Sequence, residues 1–83
     1  MTKEKLNQLG SKILDACISV HKELGPGLLE SVYTYALLKE LAFRDIKAFK
    51  NISIPLYYKG FDTGKYYEMD LLVENEIVIE IKS

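Results

Sequence analysis

Leu6, Leu9, Ile13, Cys17, Val20 and Leu24 recur every three or four residues. That spacing predicts a helix over Lys3 to Leu24 with one apolar face. Thr2 is placed to cap its start. Gly25-Pro26-Gly27 ends it, with Gly25 suited to the left-handed position after a helix and Pro26 unable to continue one. Gly10 inside the helix costs about 1 kcal/mol relative to Ala. A second helix is predicted from about Leu28 to Phe43, with Leu29, Val32, Tyr33, Ala36, Leu37 and Leu41 as its stripe. The period then changes from near 3.6 to 2. Ile52, Ile54, Leu56 and Tyr58 alternate with Ser53, Pro55 and Tyr57, which predicts a strand over Phe49 to Tyr58. Pro55 donates no backbone hydrogen bond, so that strand belongs at an edge or carries a bulge. Lys59-Gly60 turns the chain, and Phe61 to Lys65 reads as a short strand piece followed by a second bend.

The stretch Tyr66 to Ser83 reads as two strands joined by a tight turn, the second strand spanning 77–82. Its register decides which residues share a face. A two-residue turn at Glu74-Asn75 pairs Asp70 with Ile79 and sends Glu80 to the other face. A three-residue loop, Glu74-Asn75-Glu76, pairs Asp70 with Glu80 and Met69 with Ile81. It requires Asn75 or Glu76 to be left-handed, which Asn tolerates well. The same loop gathers Leu71, Val73, Ile77, Ile79 and Ile81 on the opposite face, ready to pack on a helix. The longer loop satisfies packing and chemistry together and is the register expected.

At 83 residues the chain suits one domain. The formal net charge of −1 gives no strong field toward nucleic acid or anionic membrane. The single cysteine, Cys17, excludes an internal disulfide and a cysteine-based zinc site. It fits a small buried hydrophobe on the first helix. No run is long and apolar enough for a membrane span, and the N-terminus is too charged for a secretory signal. A cytoplasmic location is expected.

Two groups of residues carry candidate chemistry. The first is Asp70 with Glu80-Ile81-Lys82. Two carboxylates on adjacent strands can hold a hard divalent ion through oxygen, and a lysine two residues on lands beside it. The plainer alternative is a solvated Glu-x-Lys ion pair. The second is Gly27-Leu28-Leu29-Glu30-Ser31-Val32-Tyr33. There Gly27 allows close backbone approach and Glu30 presents a carboxylate from a helix start. The plainer alternative is helix-start electrostatics with Tyr33 in the core. His21 either lines the site or faces solvent near the helix C-terminus. Tyr57, Tyr58, Tyr66 and Tyr67 either stack on bases or serve as ordinary strand residues.

VHKELGPGLLESVY, residues 20–33, resembles the signature of the GxxExxY proteins, which belong to the PD-(D/E)XK nuclease-like superfamily. Gly27, Glu30 and Tyr33 match the naming motif, and His21 and Leu24-Gly25-Pro26 match the preceding run. IPLYYKG (54–60) and DLLVENEIVIEIKS (70–83) resemble the family's strand region. Asp70, Glu80 and Lys82 fall on the superfamily's acidic and Glu-x-Lys positions, with Met69 where the superfamily name has Pro. The resemblance covers about residues 10–83.

It implies an α+β, restriction-endonuclease-like fold: two N-terminal helices, then a three-stranded antiparallel meander, in a single domain over 1–83. The crossover helix and final strand usual to the family are absent from this stretch. It implies phosphodiester hydrolysis with Mg²⁺ or Mn²⁺ as cofactor and nucleic acid as partner. Asp70 and Glu80 become metal ligands and Lys82 the catalytic lysine. Glu30 becomes an accessory acid, and Tyr33 a hydrogen-bonding group within the site. The edge of strand 77–82 lacks a later element to cover it, so the expectation is either a chain truncated after its third core strand or a partner on that edge, a second copy making a homo-oligomer. Three readings follow. One is a metal-dependent nuclease, active or disabled at this length. The second is a non-enzymatic interaction or nucleic-acid-processing accessory module. The third is a structural dimer whose acids make surface ion pairs only.

Overall fold

The computed structural model describes residues 1–82; Ser83, the last residue of the motif at 70–83, lies outside them. Helix α1 runs Lys3–Leu24 and helix α2 Glu30–Phe43. Three strands follow: β1 Ala48–Tyr58, β2 Phe61–Val73 and β3 Ile77–Ile79. They form one antiparallel sheet in the order β1-β2-β3, so the expected two helices and meander are present.

The helix ends follow from local chemistry. Thr2 caps α1, its hydroxyl accepting from the Lys5 N–H at 3.1 Å. Gly25 closes α1 at φ 73°, ψ −178°, a region open essentially to glycine alone rather than the expected left-handed helical well. Gly27 also has positive φ, 85°, and a Cβ there would meet nothing within 4 Å. Conformation, not close approach, therefore requires this glycine. Helix α2 ends in a Schellman motif. The Asp45 N–H donates to Ala42 O and the Ile46 N–H to Leu41 O, with Asp45 at φ 61°. Ile46 and Leu41, the apolar pair that usually accompanies this motif, are both buried.

The core joins Leu9, Ile13, Ala16 and Val20 of α1 to Leu37 and Leu41 of α2, then to Leu71 and Val73 of β2. Cys17, Tyr33, Ile77, Ile79 and Ile81 pack partly buried against it. The stripes read from the sequence are thus right in direction and too long at the ends. Leu6, Leu29 and Val32 are exposed, because Leu6 lies in the first turns of α1 and Leu29 is the N-cap of α2. Ala16, on the apolar face of α1, is fully buried instead.

Strand β1 is an edge strand, and its register shifts between Pro55 and Tyr57, so Pro55 has both of its expected settings. The stretch after the Lys59-Gly60 turn is not a separate piece. Strand β2 is continuous and absorbs the bend at 62–65. The Gly64 N–H donates to Asp62 Oδ1 at 2.9 Å and the Thr63 hydroxyl to Leu56 O at 2.7 Å.

The second hairpin pairs Leu71 with Ile79, Leu72 with Val78 and Val73 with Ile77. This is the register expected of a three-residue loop. The turn within it is tighter than that loop suggests. The Glu76 N–H donates to Val73 O, while Glu74 (φ 51°) and Asn75 (φ 55°) are the left-handed residues. Glu76 is the extra residue that keeps the longer register. Strand β3 stops at Ile79 rather than reaching 82. The Ile81 N–H donates to Asp70 Oδ2 at 2.7 Å, so a side chain holds the main chain just past the last ladder pair.

Candidate functional site

Asp70 projects from β2, half-buried, and Glu30 from the first turn of α2. Forty positions apart in sequence, they line one cavity of about 260 Å³, together with Ser31, Thr34, Lys50 and Asn51. The fold places them there through two separate devices. The glycine turn after α1 sets where α2 starts, and the Tyr33 hydroxyl ties that turn down by donating to Gly25 O. The pairing of Lys50 with Leu71 in the β1–β2 ladder carries the adjoining Asn51 and Asp70 to the same place.

The electrostatics favour anionic oxygen here. Glu30 sits at the positive end of the α2 dipole. The N-cap residue, Leu29, supplies no side-chain oxygen of its own. Lys50 lines the cavity from β1, its ammonium 5.8 Å from the centre of the Tyr35 ring on α2. One oxygen of Asp70 is committed to the Ile81 N–H.

Glu80, Lys82 and Tyr33 line a neighbouring cavity of about 340 Å³, together with Cys17, His21 and Leu37. Ile81 lies between, lining both cavities. Glu80 accepts a hydrogen bond from the Tyr67 hydroxyl at 3.2 Å, and that bond, with the carboxylate's charge, raises the Tyr67 pKa. His21 is exposed in the last turn of α1. Partial burial pushes the Cys17 thiol up, favouring its protonated form.

The five residues singled out in the sequence therefore fall into two sets. Asp70 and Glu30 share one cavity; Glu80, Lys82 and Tyr33 share the next. Their donors suit a hard ion in kind: two carboxylates, two hydroxyls and the Asn51 amide at one cavity. Among the described residues, no three of His, Cys, Asp and Glu converge closely enough to hold a metal. The set fits a divalent ion that keeps several waters, and does not fit an all-protein cage. Lys50, Asn51 and Ser31 were not singled out in the sequence. Lys50 and Asn51 are ordinary strand residues there, and only the β1–β2 register puts them beside Asp70.

Among the described residues, no helix is long and apolar enough to cross a membrane. A family model described as the PD-(D/E)XK nuclease superfamily matches residues 7–83. Comparison with curated proteins and with solved structures gave no match.

Proposed function

The chain belongs to the PD-(D/E)XK nuclease superfamily, and on that premise we propose that it is a metal-dependent phosphodiester hydrolase of the GxxExxY type, acting on nucleic acid as a single domain in the cytoplasm. The observation that carries this reading is the meeting of Asp70 and Glu30 at one oxygen-lined cavity. We assign Mg²⁺ or Mn²⁺ to the cavity lined by Asp70 and by Glu30 from the helix; Glu80, the second ligand that the superfamily pattern implies, lines the neighbouring cavity across Ile81. Such an ion, when bound, polarises a phosphoryl oxygen and acidifies a bound water.

The chain's own groups supply the rest. Asp70 is pre-oriented, because its bond to the Ile81 N–H fixes its rotamer. Lys82 carries an exposed ammonium suited to charge developing on phosphate. Tyr33 acts on position: by holding Gly25 it fixes the start of α2 and therefore Glu30.

The reading is tested by incubating the protein with single- and double-stranded substrates in Mg²⁺ or Mn²⁺, beside Lys82→Ala. Lys82 is exposed, so its removal should leave stability unchanged. Metal-dependent cleavage that falls by about 100-fold or more in Lys82→Ala supports the assignment. Cleavage equal in both proteins overturns the role of Lys82.

A second reading is favoured by one specific feature. Glu80 and Lys82 lie across Ile81 from Asp70. That arrangement suits an accessory module that keeps the fold and binds or positions nucleic acid without cutting it. Wild-type protein that binds oligonucleotide and leaves it intact under every metal condition decides for this reading.

A further inference from the structure

The helices cover only the near half of the sheet. On β1, alternation puts Ile52 and Ile54 on the helix-facing side, and past the register shift at 55–57 the strand continues through Leu56 to Tyr58. The ladder sets Met69 opposite Ile52, Tyr67 opposite Ile54 and Phe61 opposite Tyr58. Met69 is buried, but beyond it the same face continues uncovered. Ile54 is 43% exposed, Leu56 44%, Tyr58 58%, Phe61 78% and Tyr67 45%. The far end of the β1–β2 hairpin is thus a bare two-stranded arm whose inner face is apolar. Its extension is visible in the shape of the molecule. The radius of gyration is 14.6 Å, against about 12 Å for a compact chain of this length.

A two-stranded ribbon is at best marginally stable alone in water, and large aromatic surface left open is a strong drive to association. We propose that this face, formed by Ile54, Leu56, Tyr58, Phe61 and Tyr67, is the contact between two copies of the chain, packed arm on arm about a two-fold axis.

Three observations select a second copy. First, the area is sufficient. At these exposures the five residues offer at most on the order of 600 Å² per chain, so a pair fully enclosing them buries about 1,200 Å², the lower end of the range for specific interfaces. Second, the five carry no charge, and the charged residues of β2, Asp62, Lys65 and Glu68, alternate or bulge away from them. An uncharged centre with a polar surround is the composition of a protein interface. A phosphate-binding face needs cations, and on this arm Lys59 is held over the Tyr58 ring at 5.4 Å, at the tip. Third, the face adjoins the buried Met69 on the same side of the ladder, so two sheets stacked at about 10 Å would enclose it between them. The edge of β3, where pairing was expected from the sequence, is only three residues long and offers little ladder.

The test is sedimentation equilibrium on the wild-type chain and three variants: Phe61→Glu on the inner face, Tyr57→Lys on the outer face and Val78→Lys on the β3 edge. All three positions are exposed, and matching circular dichroism and melting curves verify folding. The expected result is a wild-type dimer, a dimer weakened by about 100-fold in Phe61→Glu, and little change in Tyr57→Lys or Val78→Lys. A wild-type monomer throughout the micromolar range overturns the proposal. So does equal weakening by Tyr57→Lys, or dissociation by Val78→Lys alone. A monomer that binds a single-stranded oligonucleotide, and loses it in Phe61→Glu, overturns it in favour of base stacking.

Discussion

At Asp70 a single carboxylate serves the backbone and the cavity at once. One oxygen takes the Ile81 N–H and the residue lines the cavity shared with Glu30. The sequence pattern identifies Asp70 as a candidate, but its bond to Ile81 was not legible, because alternation describes where side chains project and not which amide they capture. Glu74 is a similar case. Its φ of 51° is uncomfortable for a β-carbon and suits Asn, which sits next to it at Asn75. Glu74→Asn should stabilise the protein by about 0.5–1 kcal/mol, read as a rise of several degrees in Tm. An unchanged or lower Tm would show that Glu74 is held by something other than turn geometry. Cys17 gives a pH signature. Its folded pKa is raised above the ordinary 9.0 by burial. Above pH 9 the unfolded chain releases that proton while the folded chain keeps it, so the unfolded state binds fewer protons and stability falls as pH rises. Cys17→Ala should flatten this slope between pH 9 and the raised value, measured by urea unfolding across that range. Tyr67 is raised in the same direction, so the difference between the two proteins, not the slope of either alone, is the quantity to compare.

At the scale of elements, periodicity carries a great deal. The limits of α1 follow from six apolar positions, Thr2 and Gly25-Pro26-Gly27. The register of the second hairpin follows from asking which loop puts Leu71, Val73, Ile77 and Ile79 on one face. What did not follow was extent. Strand β3 is shorter than its Ile-Val-Ile-Glu-Ile run because Asp70 intervenes, and β2 is longer than its Gly64 suggests because a bulge absorbs the extra residues. Both departures are backbone events held by side-chain hydrogen bonds, from Asp70 of the neighbouring strand at β3 and from Asp62 and Thr63 of β2 itself at the bend, which hydrophobic periodicity does not reveal. Gly10 offers a direct check on α1. A Cβ there would meet nothing within 4 Å, so Gly10→Ala should gain helix propensity without a clash. The expected gain is about 1 kcal/mol, with a rise in Tm of about 4–8 °C. A loss on this substitution would mean that the helix needs the glycine for something the packing does not display.

At the scale of the whole molecule, the candidate site depends on contacts that no single element contains. Glu30 reaches it through a glycine turn tied by Tyr33, and Asp70 through two strand pairings. The sequence could nominate all five residues because their types and order match a known pattern. It could not divide them between two cavities, because Ile81 separates them only once the end of β3 has folded against Asp70. Whether the Asp70–Glu30 cavity holds a hard divalent ion is read out by calorimetric titration of Mn²⁺ into the wild-type protein and into Asp70→Asn. Asn retains an acceptor for the Ile81 N–H while removing the charge, so the fold is kept and the ligand weakened. Saturable binding to the wild type is expected, with affinity reduced by about tenfold or more in Asp70→Asn. Equal binding by both proteins, or none by a folded wild type, would contradict it.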